Sequence, residues 1–199
     1  MHTLLIQTSP REQDSISRRL ADYLTEQLSC STLTLRDLAE DSLPTPVRQD
    51  LLALHSGSGD GSPALAGLRQ LEDRLIGELM VADTLVMGIA MHNFSVPVVL
   101  KQWVDYVCRA GKTFRYSEDG PRGLTGISDA FLVTATGGAP VGGTMDFATG
   151  YMAHIAHFLG VRQVHVIDAG GSKGTPEATL ARGRLQIDRL LDNHLTLAV

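Results

Sequence analysis

Three short segments of the chain hold residues with chemistry to offer. The first is Ser9-Pro10-Arg11-Glu12-Gln13-Asp14-Ser15-Ile16-Ser17, which places three hydroxyls around the start of an apolar helical pattern. Free N–H groups at a helix N-terminus attract anions, so a phosphate fits among Ser9, Ser15, Ile16 and Ser17. The same serines serve equally well as plain helix caps, and Asp14 would repel a phosphate unless its carboxylate turns away. The second segment, Met91-His92-Asn93-Phe94, brings an imidazole, an amide and a phenyl ring to the end of a long apolar run. It offers hydrogen bonds and an apolar wall to a planar heterocycle, and alone it also reads as a strand-end turn. The third, Ala135-Thr136-Gly137-Gly138, lets backbone amides approach a ligand closely because glycine carries no side chain.

Other chemistries lack their signatures. The chain has no G-x-G-x-x-G, no G-x-x-x-x-G-K-[ST] and no H-E-x-x-H. His154 and His157 share one helix face, but no third ligand accompanies them, so no metal is expected. Cys30 and Cys108 have no histidine nearby and read as structural thiols.

Positioning the three segments takes a particular set of elements. Thr3–Gln7 is a short buried strand, and Ile16, Leu20, Tyr23, Leu24 and Leu28 then trace one helix face, with Asp14 or Ser15 as its cap. Leu33–Leu35 is a second strand, giving a βαβ opening that favours a parallel sheet. A helical piece near Val47–Leu54 and a Gly/Ser stretch from His55 to Ser62 lead to a helix carrying Leu68, Leu71, Leu75, Ile76 and Leu79. Thr84–Ala90 is nearly all apolar and predicts a central strand. A helix follows Pro97, then a long loop or small hairpin over Phe114–Gly126, a strand Ala130–Thr134, a helix Phe147–Leu159, a strand Gln163–Ile167 and a closing helix from Pro176. Five strands alternating with helices predict one domain over 1–199. Its fold class is α/β, a doubly wound sandwich with a five-stranded parallel sheet of order 2-1-3-4-5 and helices on both faces. In such folds ligands bind beyond the carboxyl ends of the strands, where the three segments fall.

Composition narrows the partners. Seven basic and thirteen acidic residues lie in the first hundred positions, ten and nine in the rest, and the net charge is −5. No basic cluster exists for nucleic acid. The longest apolar run is far shorter than the roughly 20 residues of a membrane span. The first basic residue, Arg11, follows a Ser-Pro rather than preceding an apolar stretch, so no secretory leader is read and the expected location is cytoplasmic.

Two runs are more specific. Met91-His92-Asn93-Phe94 is followed by Pro97 and Lys101, and residues 110–124 read A-G-K-T-F-R-Y-S-E-D-G-P-R-G-L. Through them the chain resembles the FMN-dependent NADH-azoreductase family, also described as FMN-dependent NADH:quinone oxidoreductases, on the flavodoxin-like fold. The resemblance covers nearly the whole chain. It implies FMN as bound cofactor, with Ser9, Ser15, Ile16 and Ser17 around the phosphate. Met91, His92, Asn93 and Phe94 would run along the isoalloxazine ring, and Ala135, Thr136, Gly137 and Gly138 would meet its pyrimidine side. Phe94, Tyr116 and Phe158 would wall the substrate pocket, Phe158 from a partner subunit. His92 stands where the family commonly has Tyr, and Thr136 where familiar members have Arg.

The expected activity is hydride transfer from NADH or NADPH to the flavin, then two electrons to a quinone or azo compound in a ping-pong cycle. Asn93 would orient the ring, and His92 either donates a proton to the acceptor or fills space beside the ring. The expected assembly is a homodimer, with Trp103, Val107, Tyr151, Ile155 and Phe158 forming the interface. The rival reading is a flavodoxin-type electron carrier that binds FMN without oxidising NAD(P)H itself. Such carriers are strongly acidic and build the first loop as T-x-T-G-x-T, which this chain lacks.

Overall fold

A computed structural model describes residues 1–28, 30–45, 63–170 and 174–197, with backbone alone at 64 and 193–197. The expected helical piece near Val47–Leu54 and the Gly/Ser stretch to Ser62 lie outside the described residues.

Five strands form one parallel sheet: β1 (His2–Gln7), β2 (Thr32–Asp37), β3 (Thr84–Ala90), β6 (Asp129–Ala135) and β7 (Gln163–Asp168). Their order is β2-β1-β3-β6-β7, which in terms of sheet strands alone is the expected 2-1-3-4-5. β3 sits in the middle, and all its residues but Ala90 are buried. Alternation along the strands feeds two cores. Leu4, Ile6, Leu85, Met87, Ile89 and Leu132 face α2 (Pro63–Met80), α3 (Val98–Val107) and α4 (Thr149–Leu159). Leu5, Val86, Phe131, Val133 and Ile167 face α1 (Ile16–Gln27) and α5 (Pro176–Leu197) on the other side. Each such Leu, Ile or Phe contributes about 1.5–3 kcal/mol by leaving water.

The segment after α3 is the small hairpin of the two expected forms: β4 (Phe114–Ser117) pairs antiparallel with β5 (Gly120–Gly123). Its sequence run has a physical basis at each punctuating residue. Gly111 takes φ 80° and donates its N–H to the Phe114 carbonyl at 2.7 Å. Thr113, fully buried, donates from Oγ1 to the Val107 carbonyl at 2.6 Å and accepts the Arg109 N–H at 3.0 Å. Gly123 crosses the end of α4 so closely that a Cβ there would stand 2.1 Å from the Gly160 nitrogen. Arg109 forms a buried ion pair with Glu72 of α2, joined by Lys112 at 3.3 Å, which ties the hairpin's base to that helix.

Candidate active site

A cavity of about 350 Å³ opens at the carboxyl end of the sheet. Ser9, Ser15, Ile16 and Ser17 form its first wall. All three serines are buried, and Ser17 is completely so. Ser15 is the cap of α1: its backbone is extended, and its Oγ accepts the Arg18 N–H at 3.3 Å. Ser15 Oγ lies 3.2 Å from Ser17 Oγ, and Ser9 Oγ accepts the Arg11 N–H at 3.2 Å. The first turn of α1 contains no acidic residue, and the Ile16 and Ser17 N–H groups carry no hydrogen bond among the described residues. Asp14 is exposed on the rim.

The second wall is the end of β3, through Ala90, Met91 and His92. Here the chain turns within two residues. His92 N–H donates to the Ser95 carbonyl at 2.9 Å and Ser95 N–H returns to His92 at 3.0 Å. Asn93 and Phe94 between them take φ 47° and 68°. Positive φ at both central residues is the primed hairpin turn that ordinarily takes Asn-Gly. A phenylalanine in the glycine position is strained, and such strain persists where surroundings impose it, often at functional sites. The Phe94 ring is half exposed.

Ala135, Thr136 and Gly137 make the third wall. Thr136 is buried and donates its hydroxyl to the Ala139 carbonyl, so its side chain serves the loop. A Cβ at Gly137 or Gly138 would meet nothing within 4 Å, so open space lies against this backbone. The loop is held from behind by Asp146. Its carboxylate accepts N–H groups of Gly142, Ala148 and Thr149 at 2.8–3.0 Å and the Thr149 hydroxyl at 2.6 Å. Partial burial disfavours its charge, but these bonds outweigh that and hold Asp146 below the ordinary carboxylate value.

Residues 1–191 match the family model described as a flavodoxin-like fold. A protein of Hahella chejuensis named FMN-dependent NADH:quinone oxidoreductase 1 is 39% identical over 187 residues, 92% of either chain. One of Erythrobacter litoralis named FMN-dependent NADH:quinone oxidoreductase is 37% identical over 195 residues, 96% of this chain and 99% of its own. The chain belongs to the FMN-dependent NADH:quinone oxidoreductase family. A solved FMN-dependent NADH-azoreductase of Bacillus anthracis, in complex with FMN, superposes with TM-score 0.84 over 96% of this chain and 98% of its own. At 20% identity that likeness speaks for the fold alone.

Within this member of the FMN-dependent NADH:quinone oxidoreductase family, the cavity gathers the expected residues of all three segments except Asn93, Phe94 and Gly138, which adjoin its lining. Tyr116 and Phe158 are outside it. Tyr116 is 75% exposed and meets Phe114 edge-on at 5.5 Å, while Phe158, half-buried, packs against Phe114 in a tilted contact at 4.5 Å. Two residues expected at a subunit interface are elsewhere: Trp103 and Val107 are completely buried within the chain, because α3 turns them onto the sheet. Sequence reasoning missed the loop after β7, whose Ala169 lines the cavity together with Pro176. The signal was the strand order itself, since β7 adjoins β6 and its end must reach the same rim.

His154 and His157 are exposed on α4, and no cluster of metal-ligating side chains occurs among the described residues. Burial pushes the Cys108 thiol up to about 11, which suits an inert thiol.

Proposed function

We propose that residues 1–199 act as one FMN-binding domain that takes electrons from NADH or NADPH and delivers two to a quinone or an azo compound. The family relationship names the chemistry. The observation that carries it to this chain is that a hydroxyl-lined helix N-terminus, the end of β3 just before a strained two-residue turn, and an open glycine loop line one cavity. Their donor set suits FMN: free N–H groups and buried hydroxyls for a phosphate, and room beside a backbone for a flat ring. FMN, when bound, supplies the two-electron redox chemistry, so no side chain need act as nucleophile.

The chain's own residues hold, orient and protonate. Ser9, Ser15 and Ser17 hydroxyls and the Ile16 and Ser17 N–H groups grip the phosphate. Met91 to Phe94 lie along the ring, with Asn93 orienting it through its amide. Ala135 to Gly138 would present backbone N–H groups to an edge of the ring, where they would favour negative charge. His92, the one imidazole among the described residues of the cavity wall, donates a proton from a ring nitrogen to the acceptor.

Phe94 adjoins the lining of its own cavity, whereas Tyr116 and Phe158 are outside it. We therefore read the acceptor pocket as shared in a homodimer, with Tyr116 and Phe158 reaching the cavity of a second copy. No described helix is long and apolar enough to cross a membrane. The proposed site of action is the cytoplasm, which two free thiols suit. The test is the absorbance spectrum of the purified protein with the mass of any released pigment. A flavin spectrum and the mass of FMN support the reading; a protein that neither carries nor takes up FMN contradicts it.

A further inference from the structure

Arg18, on the first turns of α1, touches two of the three cavity serines without lining the cavity itself. Its backbone N–H is the donor to Ser15 Oγ at 3.3 Å. Its side chain donates twice to the Ser9 carbonyl, from Nε at 2.9 Å and from Nη2 at 2.6 Å. The same guanidinium grips Asp37, the last residue of β2, with Nη2 to Oδ1 at 2.8 Å and Nη1 to Oδ2. Asp37 is fixed in turn by the Ala39 and Glu40 N–H groups at 3.0 and 3.3 Å. Both side chains of the pair are nearly buried, 13% and 12% exposed. A planar fork held on two sides is a rigid part, unlike an exposed ion pair. Its two targets, Ser9 and Asp37, stand at or beyond the strand ends, so what the fork sets is the shape of the β1–α1 loop.

We propose that Arg18, clamped by Asp37, is the positioning residue that shapes the Ser9–Ser17 loop for the flavin phosphate and thereby sets the preference for FMN over phosphate-free riboflavin. This rests on the proposed FMN site. Arg18 acts through Ser9 and Ser15, since four of its five side-chain N–H donors are committed to Ser9 and Asp37. The clamp makes a prediction that charge alone does not. Asp37→Asn removes a negative charge near the loop, so simple electrostatics would strengthen FMN binding, whereas a loosened clamp weakens it. Arg18→Lys keeps the charge and loses the fork.

The experiment titrates the apoprotein with FMN and, separately, with riboflavin, following flavin fluorescence, for the parent, Arg18→Lys and Asp37→Asn, with thermal melts showing each is folded. The parent binds FMN much more tightly than riboflavin. In both variants the FMN dissociation constant rises tenfold or more, about the worth of one charge-assisted hydrogen bond, and riboflavin moves less than twofold. Equal weakening of both ligands, or FMN binding by Asp37→Asn as tight as the parent or tighter, overturns the proposal. A parent that does not distinguish FMN from riboflavin overturns the phosphate site itself, and the proposal with it.

Discussion

Ser15→Gly combined with Ser17→Ala isolates the phosphate-binding share of the α1 N-terminus from its structural share. Ser15 caps the helix by accepting the Arg18 N–H at 3.3 Å, so Ser15→Ala would cost about 1 kcal/mol of folding stability, whereas glycine at a cap costs only a few tenths. Ser17 is completely buried, and its hydroxyl bonds to Ser15 Oγ at 3.2 Å. Changing both residues removes both partners, so no orphaned hydroxyl is left in the interior. The folding cost is therefore under about 1 kcal/mol, or roughly 2–4 °C in Tm for a chain this long. Two hydrogen bonds to a charged phosphate are worth about 1.5–3 kcal/mol each, so the FMN dissociation constant rises by roughly 10²–10⁴. The assay is fluorescence titration of the apoprotein with FMN beside a thermal melt. An FMN affinity within a few-fold of the parent, in a protein whose Tm falls by no more than those few degrees, would refute the placement of the phosphate at Ser15 and Ser17.

The remaining expectations concern assembly, packing and acid stability. Tyr116→Glu alters an exposed side chain in a single chain. If the acceptor pocket is shared, it lowers turnover of a homodimer seen by light scattering without lowering Tm, and a fully active monomer would contradict the shared pocket. Gly123→Ala forces a Cβ to within 2.1 Å of the Gly160 backbone nitrogen, which neither strand end nor helix end can yield cheaply. It destabilises by about 1–3 kcal/mol, read as a lowered melting temperature. Asp146 is held below the ordinary carboxylate value, so its stabilisation is present in full above about pH 4 and is lost as pH falls through its depressed native value. Asp146→Ala is accordingly less stable than the parent at pH 7, and the gap closes in strong acid; a gap independent of pH contradicts the assignment.

The middle of the sheet is legible because β1, β3 and β6 are mostly apolar and buried. Thr84–Ala90 is buried on both faces and so reads as a central strand, and the loops after β1, β3 and β6 follow from the strand ends. The hairpin was less legible. Its strands are four residues each, and Arg115, Pro121 and Arg122 give no apolar alternation. The start of α4 is expected at Phe147 and lies at Thr149, because the Asp146 carboxylate holds the Ala148 and Thr149 N–H groups in a turn ahead of the helix. Trp103 and Val107 show the limit of a periodic stripe: it tells that a face is covered, not by what. Here the chain's own sheet and helices cover them. The Arg18 clamp was invisible for a related reason, since residues 9, 18 and 37 meet only once β2 is laid beside β1.

The central claim is that this cavity runs NADH oxidation on a bound flavin, as an enzyme and unlike a carrier. The most direct measurement mixes the FMN-loaded protein with NADH in the absence of oxygen and follows the flavin absorbance, then adds a quinone. Rapid bleaching by NADH alone and full return of colour on adding quinone are expected, as two separable halves of one cycle. A flavin that stays oxidised in excess NADH or NADPH would contradict it and leave an electron carrier as the better description.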